Sequence, residues 1–113
     1  MHELGLTQNL IEIAEVHARR EGAAAIKSLT LKIGSLSGVF PDAIEFAFEV
    51  CSKGTLAQGA TLEILCISAI GRCQQCSAET SMESLADSCP ECGSFALDIL
   101  QGQEMAFTEM EID

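Results

Sequence analysis

The sequence predicts an α+β fold: two helices packed on a small, mostly antiparallel or mixed sheet, with a cysteine-bearing module inserted before the last strand. Three observations predict it. Two segments carry apolar residues at helical spacing, each is followed by a strand-like segment, and two Cys-x-x-Cys pairs interrupt the chain before a final extended stretch.

From Leu4 to Glu21, residues Leu6, Leu10, Ile13 and Ala14 recur at helical spacing while Glu12, Glu15, Arg19 and Arg20 fill the other face, which predicts an amphipathic helix. Arg19 and Arg20 suit the negative end of its dipole, and Gly22 suits a left-handed residue just past its end. His17 falls on the Leu6, Leu10, Ile13 stripe, so a packed or dipole-stabilised histidine is expected.

Ser28 to Ile33 alternates strictly, with Leu29, Leu31 and Ile33 on one face, and predicts a half-buried strand. A glycine-containing loop from Gly34 to Gly38 follows. Pro41 then stands where a first helical residue needs no amide donor, and Ile44, Ala47, Phe48 and Cys51 form an apolar stripe that stops near Gly54. Thr61 to Ile67 has strand composition, with Leu62, Ile64 and Cys66 on one face; Cys51 and Cys66 are expected to pack in the core as small hydrophobes. Residues 71–93 are too polar to build a core unaided, and Glu104 to Ile112 again reads as extended. Ser68 to Gly71 and Leu100 to Gln103 would connect the module, and such paired tethers permit limited rocking.

A chain of 113 residues has room for one modest core and a small stapled appendage. Six Lys and Arg against 17 Asp and Glu give a net charge of −11, which repels polyanions and argues against nucleic acid as a partner. Hydrophobic content is 48%, yet Trp and Tyr are absent, so the core must be aliphatic and base-stacking platforms are missing. No basic segment leads into an apolar run, and no stretch approaches the roughly 18 apolar residues of a membrane span. A soluble cytoplasmic protein without a membrane partner is the expectation. In that reducing setting six cysteines serve as ligands or buried thiols rather than disulfides.

Cys73-Gln74-Gln75-Cys76 and Cys89-Pro90-Glu91-Cys92 form two knuckles separated by residues 77–88. Each knuckle turns tightly enough for both thiolates to reach one ion, and four sulfurs at about 2.3 Å satisfy tetrahedral zinc with no open position for substrate. The intervening residues leave room for a short hairpin through Glu79 to Leu85. Disulfides, a redox dithiol and an iron site are the competing readings; a redox role would need one pair opening a helix after a strand, which this polar texture does not provide. Four thiolates on zinc also supply folding energy that residues 71–93 lack. The reading is a structural, zinc-ribbon-like module.

The chain opens Met1-His2-Glu3. The terminal amine, the His2 amide and its imidazole follow one another so that one metal can close successive small chelate rings, with Glu3 as a further donor. Nitrogen donors in a plane suit Ni(II) or Cu(II) rather than zinc or magnesium. The competing reading is an idle terminal histidine.

Met1-His2-Glu3, the run Leu31-Lys32-Ile33-Gly34, the Phe46/Phe48 helix leading to Gly59-Ala60, the two cysteine pairs and the ending Gly102-Gln103-Glu104-Met105 with Glu109-Met110-Glu111-Ile112 together resemble the HypA/HybF family of hydrogenase nickel-insertion proteins. The resemblance spans nearly the whole chain. It implies a metallochaperone that binds transferable Ni(II) through Met1, His2 and Glu3, keeps structural Zn(II) on Cys73, Cys76, Cys89 and Cys92, and works with a HypB-type GTPase to load the [NiFe]-hydrogenase large subunit; some relatives also serve urease. The implied domains are residues 1–68 plus 103–113 for nickel and 69–102 for zinc. Some family members place a histidine just after a cysteine pair, where this chain has Ser77 and Gly93. An adaptor that binds protein through a zinc ribbon without nickel transfer is the alternative. No nucleophile with a paired base, phosphate-cradling loop or open metal site is readable, so catalytic turnover is not expected. The oligomeric state, homodimer included, stays open.

Overall fold

The computed structural model describes residues 2–113, with side chains described from Glu3 onward. Helix α1 spans His2–Arg20, strand β1 Ile26–Gly34, helix α2 Pro41–Cys51 and strand β2 Thr61–Ile67. Strands β3 (Ala69–Cys73), β4 (Glu79–Met82) and β5 (Leu97–Gln101) belong to the cysteine module, and β6 spans Met105–Ile112. There are two sheets. The first has the order β2-β1-β6, with β1 parallel to β2 and antiparallel to β6; the second has the order β4-β3-β5 and is antiparallel throughout. The radius of gyration, 17.5 Å, exceeds the roughly 13 Å of a compact domain this long. The sheets therefore lie along a long axis, and the extents are 55 × 27 × 16 Å.

Each element has a local cause. Helix α1 ends in paired reverse hydrogen bonds, Ala23 N–H to the Ala18 carbonyl and Gly22 N–H to the Arg19 carbonyl, both 3.0 Å. Gly22 supplies the left-handed residue at φ 74° that this closure needs, as its position after Arg20 predicts. Helix α2 starts after Phe40, whose backbone is extended and whose side chain makes no cap; Pro41 instead presets the first helical φ. Strand β2 has the predicted bounds, while β1 runs beyond Ser28 and Ile33 at both ends. The parallel β1–β2 pairing follows from α2, which carries the chain back to the starting edge.

The helices cover one face of the first sheet. Ile11, Ala14 and Ala18 of α1 meet Ile26 and Leu29 of β1, Phe48 of α2 and Ala57, while Leu31 and Ile33 pack with Ile44. The core is aliphatic apart from phenylalanine, as the composition requires. The buried stripe of α1 differs from expectation: Thr7, Ile11, Ala14 and Ala18 are buried, whereas Ile13 is 50% exposed and His17 is exposed. The reason is steric. Ala14 and Ala18 let α1 approach α2 and the sheet closely, Leu10 packs half-buried against the Leu31, Ile33 and Ile44 cluster, and Ile13 and His17 turn to the flank.

Cys51 packs beside the core, but Cys66 is exposed near the end of edge strand β2, so the core expectation fails there. Pairing in the module also differs: β4 does not fold back on itself as a hairpin to Leu85 but pairs with β3, while β5 takes the other side of β3. The strands consume the expected connections. Only Ser68 and residues 102–104 join the two sheets, and both joints are bound to the loop after β1: Leu36 N–H donates to Gly102 O at 2.7 Å, Gly34 N–H to Glu104 O at 2.7 Å, and Ala69 N–H to Ser35 Oγ at 3.0 Å. These bonds brace the paired tethers between the two sheets.

Candidate metal centre

The two knuckles are built alike. Strand β3 delivers Cys73, whose carbonyl accepts Ser77 N–H at 2.9 Å; on the other side Cys89 O accepts Gly93 N–H at 2.8 Å. In both cases the residue after the second cysteine is left-handed, Ser77 at φ 63° and Gly93 at φ 76°. That conformation turns the next amides, those of Ala78 and Ser94, toward the Cys76 and Cys92 sulfurs. Flanking polar contacts hold the first knuckle in place: Arg72 pairs with Glu79 at 2.7 Å, and Gln74 Nε2 donates to Asp98 at 2.7 Å.

These turns bring all four thiols together. The Sγ atoms of Cys73, Cys76, Cys89 and Cys92 lie within 4.8 Å of one another. Cys73 meets Cys92 at 3.5 Å and Cys76 meets Cys89 at 3.6 Å, so each knuckle contributes one sulfur to each cross-pair. Both separations far exceed a disulfide bond of about 2.05 Å and approach the edge, about 3.8 Å, of a tetrahedron with 2.3 Å metal–sulfur bonds. Cys73 and Cys89 are each 1% exposed, whereas Cys76 and Cys92 face outward. The donor set and its geometry fit zinc: a soft tetrahedral quartet that leaves no vacancy.

The cluster is electrostatically uneven. The Cys76 backbone N–H outweighs burial, and with the Gln75 N–H at 3.3 Å from the sulfur it lowers the Cys73 thiol to about 6. The Ala78 backbone favours the Cys76 thiolate, but the Cys89 thiol, burial and the remaining sulfurs outweigh it and raise Cys76 to about 12. For Cys92 the Ser94 backbone is likewise overcome by Cys73 and burial, and the thiol is raised. One thiolate therefore forms readily and discourages the next.

At the other expected site, α1 begins at His2, and Glu3 O accepts the Thr7 hydroxyl at 2.6 Å. Met1 and the His2 side chain lie outside the described residues. Among the described residues, the four cysteines are the one group of three or more His, Cys, Asp and Glu whose ligand atoms converge. Sequence reasoning missed the structural use of Ser77, although a residue directly after Cys-x-x-Cys, matched by Gly93 in the second knuckle, was a signal for left-handed backbone. No helix among the described residues is long and apolar enough to cross a membrane.

Residues 1–112 match the family model described as hydrogenase/urease nickel incorporation, metallochaperone, hypA. The chain is 48% identical over 113 residues to the hydrogenase maturation factor HypA of Trichodesmium erythraeum (strain IMS101), covering all of this chain and 96% of that relative. It is 43% identical to the HypA of Geotalea uraniireducens (strain Rf4), covering both chains fully. Among solved structures it is similar to the solution structure of a HypA protein, with a TM-score of 0.71, 28% identity, and coverage of 99% of this chain and 96% of that one. The solution structure of the Ni metallochaperone HypA from Helicobacter pylori gives a TM-score of 0.65 at 27% identity, over 97% and 96% of the two chains.

Proposed function

Because the chain belongs to the HypA family of hydrogenase and urease nickel-incorporation metallochaperones, we propose that in the cytoplasm it carries Ni(II) on Met1, His2 and Glu3 and passes the ion to the large subunit of a [NiFe]-hydrogenase. A HypB-type GTPase is the partner in that transfer. The unit of residues 1–68 plus 103–113 holds the cargo, and residues 69–102 hold structural Zn(II) on Cys73, Cys76, Cys89 and Cys92. The protein is a carrier with no turnover of its own.

One observation carries the reading. The converging cysteine quartet leaves no open position, which supports a separate site for a transferable ion, and α1 begins at His2, the second residue of Met1-His2-Glu3 in the sequence. The first amides of a helix have no acceptor within it, which leaves the His2 nitrogen free to join the terminal amine and the imidazole around a nickel ion. An exposed site of this kind allows stepwise ligand exchange with a receiving protein. Metal analysis of tag-free protein tests the reading: one tightly held zinc and one exchangeable nickel per chain support it, and zinc alone assigns the chain to the adaptor class instead.

A further inference from the structure

Strand β6 ends one side of the first sheet, and that side is unfinished. Two packed helices need about 8–10 Å each, while strands repeat at about 4.8 Å, so the helix pair is wider than the three strands beneath it. The overhang is widest on one flank. Glu15 of α1 accepts the Leu56 N–H at 3.0 Å, and along α2 the grooves beside Glu49 and Gly59 and beside Pro41 and Cys66 of β2 are each about 380 Å³. On the opposite side, His17, Arg20 and Glu21 face Phe107, Thr108, Glu109 and Met110 across an open groove of about 550 Å³. Ile13, 50% exposed, and His17 stand on this flank with Leu6 half-buried at helical spacing beside them, while Leu10 turns inward against the Leu31, Ile33 and Ile44 cluster. Part of the apolar row that looked like core in the sequence is thus half-covered, beside the free edge of β6.

We propose that the β6 edge accepts an added strand from a partner protein, one in which apolar residues alternate with lysine or arginine. The register dictates the alternation. Met110 and Phe107 lie opposite Leu29 and Leu31 on the helix-covered face, so every second residue of an added strand faces α1 and covers Leu6 and Ile13. Glu109 and Glu111 lie opposite Thr30 and Ser28 on the uncovered face, where the same row holds Glu63 from β2. The other residues of the incoming strand stand beside those carboxylates, and cations there gain cross-strand pairing. The charge of −11 adds long-range attraction. A second copy of this chain does not fit, because β6 against β6 sets Glu109 and Glu111 opposite like charges. Glutamates and the register shift between Thr30 and Leu31 are devices that keep an edge from pairing with itself. This inference does not depend on the nickel reading.

The test uses the full chain and two nine-residue probes, one alternating valine with lysine and the other valine with glutamate. Amide hydrogen exchange by NMR locates the bound probe. The lysine peptide is expected to slow exchange along β6 and shift the Leu6 and Ile13 methyl resonances, while the glutamate peptide binds roughly tenfold more weakly. Combining Glu109→Lys with Glu111→Lys reverses the preference. Ile13→Ser weakens the lysine peptide severalfold with an unchanged melting temperature. Equal binding of the two peptides, protection along β2 instead of β6, no protection by the lysine peptide, or β6 protection that appears on concentrating the protein without peptide each overturns the proposal.

Discussion

Gly34 and Gly102 cross in direct backbone contact where the two sheets meet: a Cβ on Gly34 would collide with the Gly102 carbonyl, and a Cβ on Gly102 would collide with Ala69. Neither obstacle is a flexible side chain that could swing aside. Gly102 also sits at φ 112°, a conformation that side chains rarely adopt. Gly34→Ala therefore has to separate the joints and break the bonds from Gly34 N–H to Glu104 O and Leu36 N–H to Gly102 O. A loss of about 2–4 kcal/mol is expected in urea unfolding of the zinc-loaded protein.

Ile44 and Phe46 are two residues apart on α2 and differ completely in burial, 0% against 70% exposed. Ile44→Ala leaves a cavity against Leu31 and Ile33 and should cost about 2–5 kcal/mol, whereas Phe46→Ala should stay within about 0.5 kcal/mol. Thermal denaturation of both variants checks the contrast. Equal effects would mean that Phe46 is covered in solution.

Among the described residues Ser77 is the only non-glycine with positive φ. Its counterpart in the second knuckle is already glycine. Ser77→Gly is expected to relieve about 1 kcal/mol of backbone strain and raise the melting temperature of the zinc-loaded protein, provided the hydroxyl makes no bond that matters.

Proton release on zinc uptake should depend on pH in a defined sense. Cys73 is lowered to about 6, so at pH 7.5 it is already thiolate in metal-free protein and has no proton to give up. Cys76 is raised to about 12 and Cys92 is also raised, so both must release theirs. Zinc binding then frees about one proton more per ion at pH 5, where Cys73 is protonated too, than at pH 7.5. The sign follows directly: the depressed Cys73 favours the bound state above about pH 6, and that advantage is lost as pH falls through it. Calorimetry in buffers of different ionisation enthalpy counts the protons.

His2→Ala in tag-free protein should abolish stoichiometric nickel uptake and leave zinc in place. In the parent protein nickel affinity should fall with acidity, since amine, amide and imidazole must lose protons to bind. Retained nickel in the variant would remove His2 from the ligand set.

Most of the first sheet was legible because its segments obey simple periods: β1 alternates, β2 is β-branched, and Pro41 and Gly22 punctuate the helices. The face of α1 was legible in part: Ala14 is buried and Leu10 packs on the core as the stripe predicts, while Ile13 and His17 do not. Leu6 and Ile13 outrank Thr7 and Ala18 in hydrophobicity, but close approach between elements selects small residues there, and no single-helix pattern contains that information. Strands β3 and β5 were hidden for a related reason. Their sequences, Ala69–Cys73 and Leu97–Gln101, are only five residues long and lie in a polar, glycine- and serine-rich stretch, and they pair where the cysteines gather the chain around them. The quartet itself was plain in the spacing of Cys73, Cys76, Cys89 and Cys92, whereas the exposure of Cys66 depends on where β2 ends relative to the loop after β1.

The placement of β6 has a consequence for biosynthesis. Central strand β1 receives one neighbour, β2, before Cys73, Cys76, Cys89 and Cys92 have been translated, and the other only after the last of them. On the ribosome the nascent sheet thus waits, one flank bare, while the thiols emerge. The seam between β1 and β6 is therefore the last part of the first sheet that the chain can close.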